Sequence, residues 1–385
     1  MPKRHPSAPD SDLARYHSAE LELSGVSRRD FVKFCTTMTA AMGLPFSLAA
    51  QVAKTITDPA RLPIIWLHFQ ECTGCTETLL RATHPKVEDL VLNMISLDYS
   101  ETLMVGAGHQ AEAARDASIA ANKGKFILVV EGSIPIKDGG VYCKVGGRTA
   151  LDIVKEIAPQ AAAAVAIGSC ASWGGVQSSG PNPTGAVGLH EVISDIPIIN
   201  IPGCPASPYN LLSTVLYFLT LKKLPELDKL GRPKFAYGRL IHEHCERRPH
   251  FDAGRFAGQL GDENHRQGYC LYKLGCKGPE THANCPSIHF GNTGSWPVGG
   301  GHPCFGCTEK GVGFTKPAFE QASVLSVTPP EIFPGIVDDK KGGITPGAAA
   351  VAGVLAGAAL GAGAMMTKNL SQSDQDAGTG DNQRA

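Results

Sequence analysis

Between Leu62 and about Leu221, short apolar runs alternate with stretches whose apolar positions recur at helical spacing. The runs Pro63–His68, Val91–Leu97, Phe126–Val130, Ala163–Ile167 and Pro197–Ile201 have strand length. Helical patterns follow near Thr78–Ala82, Gln110–Ala121, Thr149–Ile157 and Ser207–Thr220. Strands that alternate with helices predict an α/β domain with a doubly wound parallel sheet. After Leu221 the alternation stops. Residues Arg239 to Thr315 are rich in Gly, Pro, His and Cys and poor in long apolar runs, so this region cannot build a large core from side chains alone.

In such a sheet, ligands lie beyond the carboxyl ends of the strands. The first predicted strand runs into Glu71-Cys72-Thr73-Gly74-Cys75, and the third into Glu131-Gly132-Ser133. The fourth runs into Gly168-Ser169-Cys170, and the fifth into Pro202-Gly203-Cys204-Pro205. Four cysteines and one carboxylate therefore converge on one edge. A flavodoxin would carry a hydroxyl-rich phosphate loop after its first strand, whereas this loop presents two thiols. The edge suits a metal cluster rather than a nucleotide. Glu131 reads either as an acceptor or proton-handling group beside that site or as a carboxylate that caps a backbone amide.

The two ends read as targeting segments. Ser27-Arg28-Arg29-Asp30-Phe31-Val32-Lys33 precedes 20 uncharged residues from Phe34 to Ala53, the order of a twin-arginine export signal. Cys35 falls inside it. Near the other end, the 26 residues between Lys341 and Lys368 carry no charge. As a helix they would span roughly 39 Å, against a bilayer core of about 30 Å. Gly353, Gly357 and Gly361 recur at the four-residue spacing that lets membrane helices approach closely. The expected organisation is a signal over 1–50, the α/β domain over 51–225, and an irregular domain over 226–335. A transmembrane anchor over 343–366 and a polar tail over 367–385 complete it.

Charge narrows the function classes. With 35 Lys+Arg against 36 Asp+Glu the chain lacks the basic footprint of a nucleic-acid binder. Twelve cysteines, some in Cys-x-x-Cys pairs such as Cys72/Cys75 and Cys304/Cys307, have ligand spacing. The downstream thiols are Cys245, Cys270, Cys276, Cys285, Cys304 and Cys307, with His242 three residues before Cys245. Spacing alone does not divide them into sites, and zinc could occupy four of them as readily as iron. His244, His250, His289 and His302 read as hydrogen-bonding partners, and Trp173 and Trp296 as packing that keeps water away.

Six motifs carry a family resemblance: ECTGCTE at Glu71–Glu77, AIGSCASWGG at Ala166–Gly175, INIPGCP at Ile199–Pro205, HEHCERRPHFDAGRF at His242–Phe256, YCLYKLGCKGPET at Tyr269–Thr281 and WPVGGGHPCFGC at Trp296–Cys307. With them the chain resembles the small, electron-transferring subunit of membrane-bound nickel-iron uptake hydrogenases, from Ser27 to the C-terminal segment. The resemblance implies a flavodoxin-like domain followed by an irregular iron-sulfur domain and a C-terminal transmembrane helix. It implies a proximal 4Fe-4S cluster on Cys72, Cys75, Cys170 and Cys204, and a distal 4Fe-4S cluster on His242, Cys245, Cys270 and Cys276. A medial 3Fe-4S cluster would use Cys285, Cys304 and Cys307, with Pro297 in place of a fourth cysteine. Cys143 is then an unliganded thiol.

The nickel-iron centre would belong to a large subunit, and electrons would pass to a membrane acceptor, a cytochrome b or another integral membrane quinone-reducing protein, on the periplasmic side. Oxygen-tolerant members carry two extra cysteines around the proximal cluster. Here those positions are Gly74 and Gly175, which implies an oxygen-sensitive enzyme of the standard proximal type. The quinone-reducing subunit of complex I shares the proximal domain but lacks the downstream cysteines, and a protein stapled by disulfides or zinc is a third reading.

Overall fold

In the computed structural model, the residues described are 27–56, 61–83, 95–291 and 293–330. Five parallel strands form the central sheet: β1 Leu62–His68, β2 Ile95–Ser100, β3 Ile127–Glu131, β4 Ala163–Ile167 and β5 Ile198–Ile201. Their spatial order is β2-β1-β3-β4-β5, the flavodoxin-type doubly wound order. Strands β3 and β4 are buried at every position, which is why they read as unbroken apolar runs. Alternate residues serve opposite faces. Ile64, Trp66, Val129, Val165 and Ile199 join one core, while Ile65, Leu67, Leu128, Val130 and Ala164 join the other.

Seven helices matter to the argument: α1 Arg28–Ala41, α2 Ala49–Ile56, α3 Gly74–Leu80, α4 Gly108–Ala121, α5 Ala150–Ile157, α6 Gly168–Trp173 and α7 Pro208–Leu221. Helices α4 and α5 cover the second face through Ala111, Ile119, Ile153, Val154 and Ile157. The start of α5 is fixed by Thr149, whose hydroxyl accepts from the Asp152 amide at 3.1 Å. The first face is covered by α7, through Leu211, Leu212, Val215 and Leu216.

The segment expected to be the export signal packs on that same first face. Phe31, Cys35, Met38, Val52 and Ala53 are buried in its core, and Gln51 Nε2 donates to Thr220 O on α7 at 2.8 Å. Arg29 stays exposed. Among the described residues no helix is long and apolar enough to cross a membrane. The stretch 343–366, where an anchor is expected, lies outside the described residues.

The downstream region has no sheet of its own among the described residues. Its helices, Lys234–Tyr237, Ile241–His244, Arg248–Asp252, Glu263–Arg266 and Cys285–Ile288, are four or five residues long. It does not stand apart, however. Tyr237, Ile241, Leu271, Leu274, Trp296 and Val298 merge with the first-face core of the sheet, so the sheet supplies the apolar surface that this sequence lacks.

Candidate metal centres

The strand-end thiols do meet. Cys72 and Cys75 flank the start of α3, Cys170 lies on α6 after β4, and Cys204 follows β5. Burial drives the thiol of Cys75 well above its usual range, and Cys170 and Cys204 add to the rise. Burial and the neighbouring Cys204 and Cys72 likewise push Cys170 up to about 12. Thiols that inhibit one another's ionisation want a cation between them. The backbone leaves room for one: Gly168 has φ +82°, and a Cβ there would stand 2.6 Å from Cys75 Sγ. A Cβ on Gly175 would stand 2.6 Å from Cys170 Sγ.

Glu131 holds the loop that presents Cys75. Its Oε1 accepts from the amides of Cys75 (3.0 Å) and Thr76 (3.2 Å). Its Oε2 accepts from Thr76 Oγ1 at 2.6 Å and Trp66 Nε1 at 3.2 Å. The carboxylate therefore caps the N-terminus of α3 from across the sheet. His68, Glu71 and Glu131 offer ligand atoms within 4.8 Å of one another, but the four donors already on Glu131 occupy its oxygens. His68 and Trp66 are not visible as site residues in the sequence, since only the register of β1 against β3 brings them to Glu131, and Thr76 reaches it from the first turn of α3.

A second group consists of Cys285, Cys304 and Cys307, which line one largely apolar cavity with Pro297, Trp296 and Phe290. Burial pushes Cys285 up to about 11 and Cys307 up to about 12, and Cys285 adds to the rise in Cys307. Pro297, whose ring offers no donor, lines the same cavity. Trp296 is 4% exposed and donates to Glu246 at 3.1 Å, so its ring is fixed as a wall.

The third group is His242, Cys245, Cys270 and Cys276, which line a common pocket. His242 is 5% exposed, and its Nε2 is buried without a hydrogen-bond partner among the described residues. Burial, with Arg248 adding to it, lowers its pKa to about 4 and keeps the ring neutral. Its ring stands edge-on to Phe251 at 4.4 Å. A neutral imidazole with an orphaned nitrogen beside three mutually repelling thiols fits a metal ligand.

The groups form a row. Cys204 of the first set raises Cys307 of the second, and the Cys204 amide supports the Cys307 sulfur. The Cys304 amide of the second set donates to Cys276 Sγ of the third at 3.3 Å. Ser169 Oγ, one residue from Cys170, donates to Cys307 O at 2.7 Å. His244 and His250 are partly buried, each with one ring nitrogen that has no hydrogen-bond partner among the described residues, and His302 Nδ1 pairs with Pro303 O at 2.8 Å. Cys143 is half-buried against the second-face core, and burial pushes it up to about 11.

The comparisons with known proteins separate the sheet domain from the downstream region. Residues 72–218 match the family model for the NADH ubiquinone oxidoreductase 20 Kd subunit, and residues 237–320 match the model for the C-terminal part of the NiFe/NiFeSe hydrogenase small subunit. The second match removes the complex I reading. The Hydrogenase-2 small chain of Escherichia coli (strain K12) is 52% identical over 90% of this chain and 93% of its own length. The periplasmic nickel-iron hydrogenase small subunit 1 of Nitratidesulfovibrio vulgaris is 49% identical over 74% of this chain and 90% of its own. A nickel-iron-selenium hydrogenase structure from Desulfovibrio vulgaris Hildenborough superposes with a TM-score of 0.61 at 35% identity, covering 66% of this chain and 95% of that one. Thiols at the strand ends, a second thiol-rich region after them and this likeness along most of the sequence lead to one conclusion: the chain belongs to the family of nickel-iron hydrogenase small subunits, which transfer electrons for a large subunit that carries the active site.

Proposed function

We propose that this chain carries electrons from hydrogen oxidation through three iron-sulfur clusters in a row. The proximal 4Fe-4S cluster would be held by Cys72, Cys75, Cys170 and Cys204, and the medial 3Fe-4S cluster by Cys285, Cys304 and Cys307. The distal 4Fe-4S cluster would be held by His242, Cys245, Cys270 and Cys276. The observation that carries the reading is the linkage of the three thiol groups, Cys204 to Cys307 and Cys304 to Cys276. When bound, such clusters supply sequential one-electron transfer at potentials set by type, ligands and exposure.

The chain's own residues prepare the path. Glu131 fixes the Cys75 loop, Trp296 and Phe290 exclude water from the middle site, and burial holds His242 neutral so that its nitrogen is free to bind. An imidazole in place of a thiolate removes negative charge and raises the distal potential. Export by the twin-arginine route, a C-terminal membrane anchor and delivery to a cytochrome b or similar quinone-reducing partner at the periplasmic face complete the reading. Exposed Arg29 supports the export part. With Gly74 and Gly175 in place of extra cysteines, the proximal site has no added anionic ligand and cycles through a single redox step, which makes the enzyme sensitive to air.

The test is iron and acid-labile sulfide analysis of the heterodimer, with paramagnetic resonance during redox titration. Three cluster species are expected, one giving a 3Fe-type signal when oxidised. Zinc in place of iron, or no 3Fe signal, overturns the assignment. A chain with Arg28→Lys and Arg29→Lys should stay folded in the cytoplasm; activity in the periplasm would refute the export route.

A further inference from the structure

Lys277 follows Cys276 directly and is only 2% exposed. Its amide donates to Cys304 O at 2.8 Å, and its Cβ lies 3.1 Å from where a Cβ on Gly306 would be. The residue is thus wedged between the third thiol group and the Cys304-x-x-Cys307 loop of the second. Taking an ammonium out of water costs several kcal/mol unless a negative charge compensates it. The carboxylate on its own turn, Glu280, is held by Lys316 at 2.8 Å. Among the described residues Lys277 makes no ion pair; its Nζ donates to the main-chain carbonyl of Glu320.

That carbonyl belongs to a strap, residues 317–328, which crosses the third site without regular structure. Tyr272 Oη donates to Ala322 O at 3.0 Å. The Leu325 amide donates to Pro279 O at 3.4 Å. Arg248 donates to Thr328 O at 2.9 Å, with its charge already met by Asp252 at 2.9 Å. The strap passes so close over Gly275, beside Cys276, that a Cβ there would meet Phe319 Cα at 2.5 Å. Gly275 has φ +83°, so glycine suits this position on both counts. The strap covers the ammonium and supplies the dipole that orients it.

We propose that Lys277 is the fixed counter-cation of the distal cluster, held dry by the 317–328 strap, and that its charge raises that cluster's reduction potential. A cluster on three thiolates and an imidazole is anionic and gains a further negative charge on reduction, so a buried cation favours the reduced form. Arg247, which lines the same pocket and donates to Tyr269 O at 2.9 Å, adds positive charge from another side. Lys277 acts through the ligand it adjoins, as a positioning residue of the electron path rather than a catalytic one.

The inference rests on the distal assignment above, and the experiment separates the two. The distal midpoint is measured by paramagnetic redox titration in the purified heterodimer, in the native chain, in Lys277→Gln and in Lys277→Arg. Glutamine keeps a donor for the Glu320 carbonyl and loses the charge. It should move the distal midpoint to more negative potential and leave the proximal one in place. Arginine should stay near the native value. An unmoved midpoint in Lys277→Gln, or an equal shift in Lys277→Arg, overturns the role of charge.

Should the glutamine variant fail to take up iron, truncation after Lys316 tests the same idea. With the strap gone, solution ions reach the ammonium, and screening sets in within a Debye length of about 10 Å at 0.1 M salt. The distal midpoint, insensitive to salt in the full chain, should become salt-dependent; if it does not, the proposal fails. A native protein with no distal 4Fe-4S signal overturns the assignment itself and this inference with it.

Discussion

The first thiol group sits at the ends of strands packed on both faces, whereas the downstream Cys and His groups sit on turns and helices of four or five residues. In the first region Cys75 is fixed by a carboxylate that reaches across from β3, and the loops of Cys170 and Cys204 continue β4 and β5. That site is anchored on the sheet itself. In the second region the side chains that would form a core are shared with the sheet, and the local order comes from polar anchors. Buried Arg232 joins Asp228 at 2.8 Å and Glu309 at 3.0 Å, and Arg248 joins Asp252. Neighbouring thiols raise one another there too, so without a cation this region holds partners that repel whenever they ionise. The difference teaches that a cofactor can be a guest in one part of a chain and a structural member in another.

Removing the iron should break the comparison open. Hydrogen exchange on the iron-free chain should show lost protection across 240–315, while amides of β1, β3, β4 and β5 keep theirs. Loss in both regions together, or in neither, would show that the two are held in the same way. This is the largest effect expected.

Glu131→Gln sharpens the first half of the contrast. The amide presents a donor to groups that donate already, at a cost of about 2 kcal/mol or more for the unmet buried partners. Thermal unfolding should come earlier and the proximal spectrum should change, with the medial and distal spectra intact. A change in all three would mean that Glu131 supports the whole chain rather than the Cys75 loop.

Pro297→Cys adds a fourth thiol to the middle cavity. The 3Fe signal should disappear in favour of a 4Fe-4S cluster of lower potential, read by paramagnetic titration; a retained 3Fe signal would place Pro297 away from the open corner.

The smallest effect concerns the two glycines of the first site. At Gly74 a Cβ would meet Cys72 Sγ at 3.1 Å and Pro205 Cβ at 3.7 Å, so Gly74→Cys should cost less than about 1 kcal/mol. At Gly175 the backbone is left-handed, with φ +57°, and a Cβ would lie 2.8 Å from Cys170 Cα. Gly175→Cys should therefore displace Cys170 and reduce proximal iron content where Gly74→Cys does not. Equal iron content in both would show that the Cys170 loop adjusts freely.

Much of the fold is legible in the sequence. The strand Ala163–Ile167 is found with the bounds its apolar run gives, because burial on both faces leaves no ambiguity of period. Strands β1, β3 and β5 shift by a residue; β2 is Ile95–Ser100, pairing from Leu62↔Ile95, and residues 91–94 of its expected run lie outside the described residues. Helix α3 begins at Gly74 rather than near Thr78 because Glu131 satisfies its first amides from a strand more than fifty positions away, a cap with no local signature. The irregular region, for want of a core, reads as dependent on metal. The structure adds that it borrows the sheet's first face, which composition cannot reveal.

The sequence by itself determined the parallel sheet, the strand ends as the place of the first thiols, and the set of residues able to bind metal, since periodicity and ligand type are local properties. Only the tertiary structure decided which downstream thiols lie together, that Glu131 is a clamp, and that Lys277 lies dry between two of those groups. Those depend on residues distant in sequence meeting at a few ångströms, and on what is left to compensate a buried charge once they have met.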